Sequence, residues 1–123
     1  MSQKYQILET EVTEGGQIIK FSDYLDKDFK YLTGVAVLDT YTYQSTLEYS
    51  AIDGKELFPR GFEMLFLQAN NFVNPSDRFF SFEDVEAEGK KIELEFKDGA
   101  TSPIYPFTLK VYLRLENKNR PSI

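Results

Sequence analysis

Apolar and polar side chains alternate without a break in FTLKVYLRLE, residues 107–116, which is the clearest indication of secondary structure in the chain. Because successive side chains of a β-strand point to opposite faces, this alternation predicts a strand with one face in a core and the other toward solvent. The core-facing residues are Phe107, Leu109, Val111, Leu113 and Leu115, and the solvent-facing residues are Thr108, Lys110, Tyr112, Arg114 and Glu116. The second set places a tyrosine between two cations, so it is either a recognition surface or the wet side of a scaffold.

The composition is that of one globular domain. The chain has 123 residues, of which 41% are hydrophobic and 28% charged, with 11 Phe and 8 Tyr. A chain of this size can bury a core without disulfides or metals, and an aromatic-rich composition is typical of folded rather than disordered proteins. No linker, repeat or low-complexity segment divides the sequence. We therefore predict a single β-sandwich domain over residues 1–123, with a polar tail from about residue 117.

Missing residue types exclude several classes of function. The sequence contains no His and no Cys, which removes imidazole bases, thiol nucleophiles and thiolate metal ligands together. No glycine-rich phosphate-binding loop occurs either. We therefore expect a protein that is not an enzyme, with no catalytic residues, no cofactor and no bound metal.

Charge and hydropathy bear on partners and location. A net charge of −6 makes binding to a phosphate backbone unexpected, since such binding needs an excess of Lys and Arg. The amino-terminal segment MSQKYQILETEVTEGG, residues 1–16, lacks the basic and apolar regions of a signal peptide. No apolar run approaches the roughly 18 residues that span a bilayer. We expect synthesis in the cytoplasm, no export signal and no membrane span.

Turn signals divide the chain into strands at regular spacing. Gly15-Gly16 follows an alternating strand, and we predict hairpin connections both there and around Gly89. Asp53-Gly54 is a strong hairpin signal, after which another strand begins near Glu56 and is interrupted by Pro59. About eight antiparallel strands result, and this count with regular turns favours an all-β sandwich or barrel over a parallel sheet.

Two segments depart from simple alternation. YLTGVAVLD, residues 31–39, is apolar on both parities, which predicts a strand covered on both faces or lying at a subunit contact. Gly34 within it indicates a bulge or a close backbone approach. FEMLFLQANNF, residues 62–72, fits neither the strand nor the helix period cleanly and contains helix-favouring residues; we predict a strand there.

Several acidic residues and tyrosines fit both a ligand-binding role and a structural role. Calcium ligands could come from Asp23, Asp26 and Asp28, but the spacing matches no EF-hand loop. Carboxylates such as Glu86 and Glu88 are more typical of a solvated acidic face than of a glycosidase pair. Exposed tyrosines can stack on sugar rings, although strand tyrosines more often form cross-strand packing pairs and the chain has no Trp. The tyrosines considered for such a platform are Tyr41, Tyr43, Tyr49 and Tyr112.

The order of these features is similar to that of a known class of proteins. The chain has an early strand pair joined by Gly-Gly, then YLTGVAVLD, an acidic interrupted middle, an EGKKIELEFKDG hairpin (88–99) and YPFTLKVYLRLEN (105–117). This order resembles the compact single jelly-roll vertex or minor capsid proteins of tailless icosahedral bacteriophages. The resemblance implies a jelly roll that self-assembles into a ring, a pentamer at capsid vertices, and contacts the neighbouring major capsid protein.

The leading hypothesis is therefore a structural virion protein, a self-assembling jelly-roll subunit that works through protein–protein interfaces. The alternative is a noncatalytic carbohydrate-binding β-sandwich module. Arg78 is predicted either to pair with a buried carboxylate of its own chain or, as the second choice, to form an ion pair between subunits. The residues predicted near subunit contacts are Tyr31, Val35, Val37, Phe62 and Arg78.

Overall fold

The computed structural model describes residues 2–37, 45–67, 79–100 and 104–117. These residues form nine β-strands and one short 3₁₀ helix, which spans Met64–Leu67. The strands are β1 (Ser2–Val12), β2 (Ile18–Tyr24), β3 (Tyr31–Val37), β4 (Thr46–Ile52), β5 (Lys55–Glu56), β6 (Phe62–Glu63), β7 (Phe80–Glu86), β8 (Lys91–Lys97) and β9 (Phe107–Asn117). None of the described residues belongs to a helix long and apolar enough to cross a membrane.

The strands form two antiparallel sheets packed as a sandwich. The four-stranded sheet has the order β1-β9-β3-β7, and the other has the order β2-β8-β4-β5, with β6 also paired to β4. Consecutive strands lie in opposite sheets except for β4, β5 and β6, which is the strand order of a jelly roll. The prediction of an all-β, jelly-roll-like sandwich is confirmed. The expected interruption of the strand after Asp53-Gly54 accounts for nine strands rather than eight, because β5 and β6 both pair with β4.

The core lies between the two sheets and follows the predicted alternation. In β9, every second residue is almost fully buried, from Leu109 to Leu115. Leu8 and Val12 of β1 face the same interior, and the rings of Phe21 and Phe96 meet there from the other sheet with centroids 5.7 Å apart. The strict alternation of β9 thus gives one buried face, as the sequence predicted.

Two predicted hairpins are wrong. The strands on either side of Gly15-Gly16, β1 and β2, lie in different sheets, and so do β7 and β8 on either side of Gly89. Glycines allow the chain to reverse, but they do not determine whether the next strand pairs beside the first or crosses to the other layer. Asp53-Gly54 does join a true hairpin between β4 and β5. Its two residues have φ angles of 47° and 81°, as a type I′ turn requires.

The prediction for YLTGVAVLD is confirmed over the described part of that segment. From Leu32 to Val37 every residue of β3 is buried, and the register of the strand shifts between Leu32 and Gly34. A Cβ added at Gly34 would lie 2.9 Å from Cβ of Phe79 and 3.1 Å from Cζ of Arg114. Both the bulge and the close approach therefore occur at this glycine.

The prediction of a strand over residues 62–72 is wrong for its middle. Strand β6 ends at Glu63, and Met64–Leu67 form a 3₁₀ helix instead. Met64 and Leu67 are both buried, and their spacing of three residues puts them on one side of such a helix. A strand would place two residues three positions apart on opposite faces, so this pair of buried residues suits the 3₁₀ helix. Residues 68–72 lie outside the described residues.

Asp98 and Gly99 together join three loops at one end of the sandwich. Its side chain is buried, and its Oδ2 accepts hydrogen bonds from the Tyr105 hydroxyl at 2.7 Å, the Ala100 amide at 3.0 Å and the Gly16 amide at 3.3 Å. The next residue, Gly99, donates its amide proton to Oγ of Ser45 at 3.0 Å. The Asp-Gly pair that follows β8 is therefore an anchor between loops.

Candidate interaction surface

The outer face of the four-stranded sheet carries exposed apolar and aromatic side chains. On edge strand β1, Tyr5 is 49% exposed and Ile7 is 48% exposed. Their cross-strand partners on β9 are Arg114 and Tyr112, respectively. Each of these two adjacent rows therefore contains at least one exposed apolar or aromatic side chain. The alternation of β9 alone predicts that this face is polar.

An aromatic–arginine cluster, made of Tyr5, Phe79 and Arg114, fixes one of these rows. The rings of Tyr5 and Phe79 are stacked, with centroids 5.4 Å apart and an interplanar angle of 18°. Cζ of Arg114 lies 5.2 Å from the centroid of the Phe79 ring, within cation–π range. The cluster extends across the sheet from β1 to the residue preceding β7.

Arg114 is held to the sheet beneath it. Its Nε donates to Oγ1 of Thr33 at 3.0 Å, and its Nη2 donates to the backbone carbonyl of Thr33 at 2.9 Å. Its Nε also lies 3.7 Å from a carboxylate oxygen of Glu116. Gly34 leaves the space that this guanidinium occupies, because a Cβ there would collide with it. Several fixed contacts hold the arginine, so the cluster is pre-organised.

Exposed charges of both signs continue the same face. Glu9 and Lys110 are cross-strand partners in the row after Ile7 and Tyr112. Both side chains are exposed, and within the described part of the chain neither forms an ion pair with a separation of 4.0 Å or less. The polar face of β9 thus combines a fixed arginine, a half-buried tyrosine and a solvated lysine.

The structure places the five predicted interface residues in different environments. Val35 and Val37 are 3% and 0% exposed and belong to the core. Tyr31 and Phe62 are half-buried, and the ring of Phe62 stacks on that of Phe58. Arg78 lies outside the described residues. The interface assignment stays a prediction, and the rows on β1 and β9 are the exposed surface that sequence reasoning missed. The signal was available, because Tyr5 and Ile7 are apolar residues at the parity opposite to Leu8 and Val12.

A cleft opens between the edge strands β5 and β7. Its volume is about 420 Å³, its floor is apolar and its rim is charged. A smaller hollow of about 270 Å³ adjoins it and includes Tyr31. The cleft is lined by Ile52, Lys55, Glu56, Leu57, Val85, Glu86 and Lys90. Glu86 and Lys90 are themselves an ion pair at 3.4 Å, so part of the rim charge is neutralised within the chain.

The tyrosines considered for a sugar platform do not form one surface. Tyr49 is 43% exposed and belongs to β4, whereas Tyr112 belongs to β9 in the other sheet. Tyr49 borders a hollow with Lys20 and Glu95 on the outer face of the five-stranded sheet. The two tyrosines therefore face away from each other across the sandwich. Tyr41 and Tyr43 lie outside the described residues.

The candidate calcium ligands serve local structure. Nζ of Lys4 forms an ion pair with the Asp26 carboxylate and donates a hydrogen bond to it. The Asp28 amide donates a second hydrogen bond to the same carboxylate. The Lys4 hydrogen bond, followed by the one from Asp28, lowers the pKa of the Asp26 carboxyl below its usual range. Asp23 accepts a hydrogen bond from the Tyr24 amide. Among the described residues, no group of three or more Asp, Glu, His or Cys side chains is arranged to hold a metal ion.

Comparison with known proteins gave no match to any protein-family model, to any curated protein or to any solved structure.

Proposed function

We propose that this protein is a structural virion subunit, a jelly roll that self-assembles through protein–protein interfaces as a vertex or minor capsid protein. The observation that carries the proposal is the pre-organised aromatic–arginine cluster beside Ile7 and Tyr112 on an exposed sheet face. Aromatic residues and arginine are enriched at the centres of protein interfaces and among the residues that dominate binding energy. Exposed Tyr and Ile side chains on a rigid sheet are costly to leave in water, and association removes that cost.

The fold and the sequence resemblance support the same function. A jelly roll in which most consecutive strands lie in opposite sheets is a compact block with two sheet faces and two open edges, and such blocks suit packing into shells. The resemblance to bacteriophage vertex and minor capsid proteins adds the expected partners. These are further copies of the chain, in a ring such as a pentamer, and the neighbouring major capsid protein. The function requires no cofactor and no nucleic-acid contact.

Solution mass tests this proposal. Light scattering coupled to size exclusion, over a concentration series of the purified chain, should give masses above the 14.3 kDa of one copy, and those masses should rise with concentration to a defined multiple. A mass that stays at one copy up to millimolar concentration contradicts self-assembly. Addition of the candidate major capsid protein should then give a mixed assembly that sediments faster than either component.

Carbohydrate binding is the second candidate, and the cleft between β5 and β7 favours it. Its volume of about 420 Å³ lies within the range of small-molecule sites, and an apolar floor with a polar rim is the usual composition of such sites. Calorimetric titration with a panel of oligosaccharides tests this function. Saturable heat that is lost in Glu56→Gln but kept in Glu95→Gln, on the outer face of the other sheet, would favour it. The absence of heat with every saccharide removes it.

A further inference from the structure

We infer that the outer face of the four-stranded sheet is a twofold contact between two copies of this chain, with the axis parallel to the strands and midway between β1 and β9. The inference rests on the proposed function and names a contact additional to those of a ring, because a twofold interface joins copies in pairs whereas a ring closes through head-to-tail interfaces. The axis places β1 of one copy over β9 of the other. Each residue of one strand then faces the residue that is its cross-strand partner within its own chain.

The cross-strand register makes this arrangement self-complementary. The three central outward-facing rows are Tyr5 with Arg114, Ile7 with Tyr112 and Glu9 with Lys110, and they are flanked by the rows Gln3 with Glu116 and Glu11 with Thr108. Across the twofold, Ile7 meets the tyrosine of the other copy and Glu9 meets its lysine, and each contact occurs twice. Tyr5 lies over the Arg114 position of the other copy, where that arginine side chain is only 13% exposed, so this row contributes the exposed ring of Tyr5 rather than a new contact to the guanidinium. Two central rows therefore supply both members of a favourable pair across the axis: an apolar contact between Ile7 and Tyr112 and an ion pair between Glu9 and Lys110.

The charge row indicates a second copy rather than a different protein. Within the described residues Glu9 and Lys110 form no ion pair at 4.0 Å or less, although they are direct partners in the register. Both are exposed and carry opposite charges at equivalent positions on the two sides of the proposed axis. A surface with this distribution complements itself and needs no additional charges from another protein.

The exposed part of the face sets the strength of the contact. On β3, Thr33 and Ala36 are buried within the chain, so the free surface is mainly that of β1 and β9. Two strands of 11 residues offer a footprint on the order of 350 Å² per copy at ~3.3 Å per residue and ~4.8 Å between strands. The total is below the roughly 1,000 Å² of a stable dimer. We therefore expect pairs that dissociate on dilution and become persistent only when several such contacts act together.

Charge reversal at the two positions tests the inference. Lys110→Glu places a carboxylate opposite the Glu9 of the other copy, and Glu9→Lys places an ammonium opposite its Lys110. Each single substitution converts two attractive pairs into two repulsive ones, so we expect the dimer dissociation constant to rise about tenfold. The double variant, Glu9→Lys with Lys110→Glu, restores opposite charges across the axis and should return the constant to within about twofold of the original. Sedimentation equilibrium at fixed ionic strength measures all four proteins.

A matched control uses the outer face of the other sheet. Lys20 and Glu95 are cross-strand partners on β2 and β8, with their charged groups 4.0 Å apart. Lys20→Glu changes the net charge by the same amount as Lys110→Glu and should leave association within about twofold at physiological ionic strength. Thermal unfolding of each variant at low protein concentration checks that the monomers are equally folded.

The outcomes separate the inference from the proposed function. If the wild-type chain is monomeric at every concentration, both fail. If it associates and Lys110→Glu associates equally well, or the double variant stays as weak as the singles, copies meet elsewhere and only the inference is overturned. Weaker association of both single variants, with recovery in the double variant, supports the twofold contact. Binding to a different protein would not recover, because that protein's charges would be unchanged.

Discussion

At the scale of single residues, Arg114 explains how a polar strand face becomes an organised surface. The side chain leaves β9, donates two hydrogen bonds to Thr33 on β3 and lies against the ring of Phe79, which in turn stacks on Tyr5 of β1. A lysine at this position would lack the planar group that can make two directed hydrogen bonds and lie against a ring at the same time. The orientation of Tyr5 and Phe79 therefore depends on the guanidinium.

Among the polar residues discussed, Asp98 should contribute most to the free energy of unfolding. Asp98→Ala removes an acceptor shared by the Tyr105 hydroxyl and the amides of Ala100 and Gly16. We expect the free energy of unfolding in urea to fall by about 2–4 kcal/mol, because hydrogen bonds to a buried carboxylate are strong and the donors would be left without an acceptor.

The matched control for Asp98 is Tyr105→Phe. This variant removes one of the three donors and leaves the carboxylate bound to the two amides, so a loss of about 1 kcal/mol is expected. An Asp98→Ala protein as stable as the Tyr105→Phe protein would show that the β1–β2 and β8–β9 loops do not depend on this carboxylate.

Asp26 should contribute to the acid sensitivity of the protein. The hydrogen bond from Lys4, followed by that from the Asp28 amide, lowers the pKa of the Asp26 carboxyl below its usual range. The folded state therefore binds the proton more weakly than the unfolded state does. The resulting stabilisation is fully present above about pH 4 and is lost as the pH falls through the lowered pKa.

The measurement compares wild type with Asp26→Asn in urea at pH 7 and at pH 3. Wild type should be the more stable protein at pH 7, and the difference should shrink at pH 3, because there the unfolded chain binds a proton at this carboxyl more readily than the folded chain does. A difference of the same size at both pH values would show that Asp26 acts through packing and not through its charge.

At the scale of strands, sequence pattern predicted what each element is but not which sheet it joins. The alternation of β9, the burial of β3 on both faces and the type I′ hairpin at Asp53-Gly54 depend on local chemistry, and all three were predicted correctly. The crossings at Gly15-Gly16 and Gly89 depend on packing between the two layers, which neighbouring residues do not encode. The candidate surface was missed for a related reason. Its pairs join β1 to β9, whose residues are more than 100 positions apart, so neither strand alone reveals the rows.

Substitution of Gly34 by a larger residue should destabilise strand β3. Gly34→Ala would place a Cβ 2.9 Å from Cβ of Phe79 and 3.1 Å from the guanidinium of Arg114. We expect a loss of about 1–3 kcal/mol in the free energy of unfolding, because one of the colliding atoms is close to the backbone and the strand must shift. Ala36→Gly on the same strand is the control; it removes a methyl group without a collision and should cost about 0.5–1 kcal/mol. A Gly34→Ala protein that is as stable as wild type, or more stable, would mean that the Gly34 site can expand freely, because alanine is otherwise favoured over glycine in a strand.

At the scale of the whole molecule, net charge opposes the contact that local charges favour. Each copy carries −6, whereas the twofold contact brings together only two ion pairs. Two such copies about 25 Å apart repel by ~3 kcal/mol at 0.01 M salt and by only ~0.3 kcal/mol at 0.15 M, where the Debye length is about 8 Å. The two exposed pairs are worth roughly 2 kcal/mol together at low salt and about half of that at 0.15 M. Salt therefore weakens the repulsion more than the attraction.

The association should consequently strengthen as salt rises from 0.01 to 0.15 M, by about tenfold in the dissociation constant. Charge variants separate the two effects, because Lys110→Glu and Lys20→Glu both change the net charge from −6 by two units toward more negative values. Both should show a steeper salt dependence than wild type, but only Lys110→Glu should stay weak at 0.15 M. The double variant Glu9→Lys with Lys110→Glu keeps the original net charge and should follow the wild-type curve. Association that weakens steadily with salt in every variant would mean that direct ion pairs outweigh the field of the whole molecule.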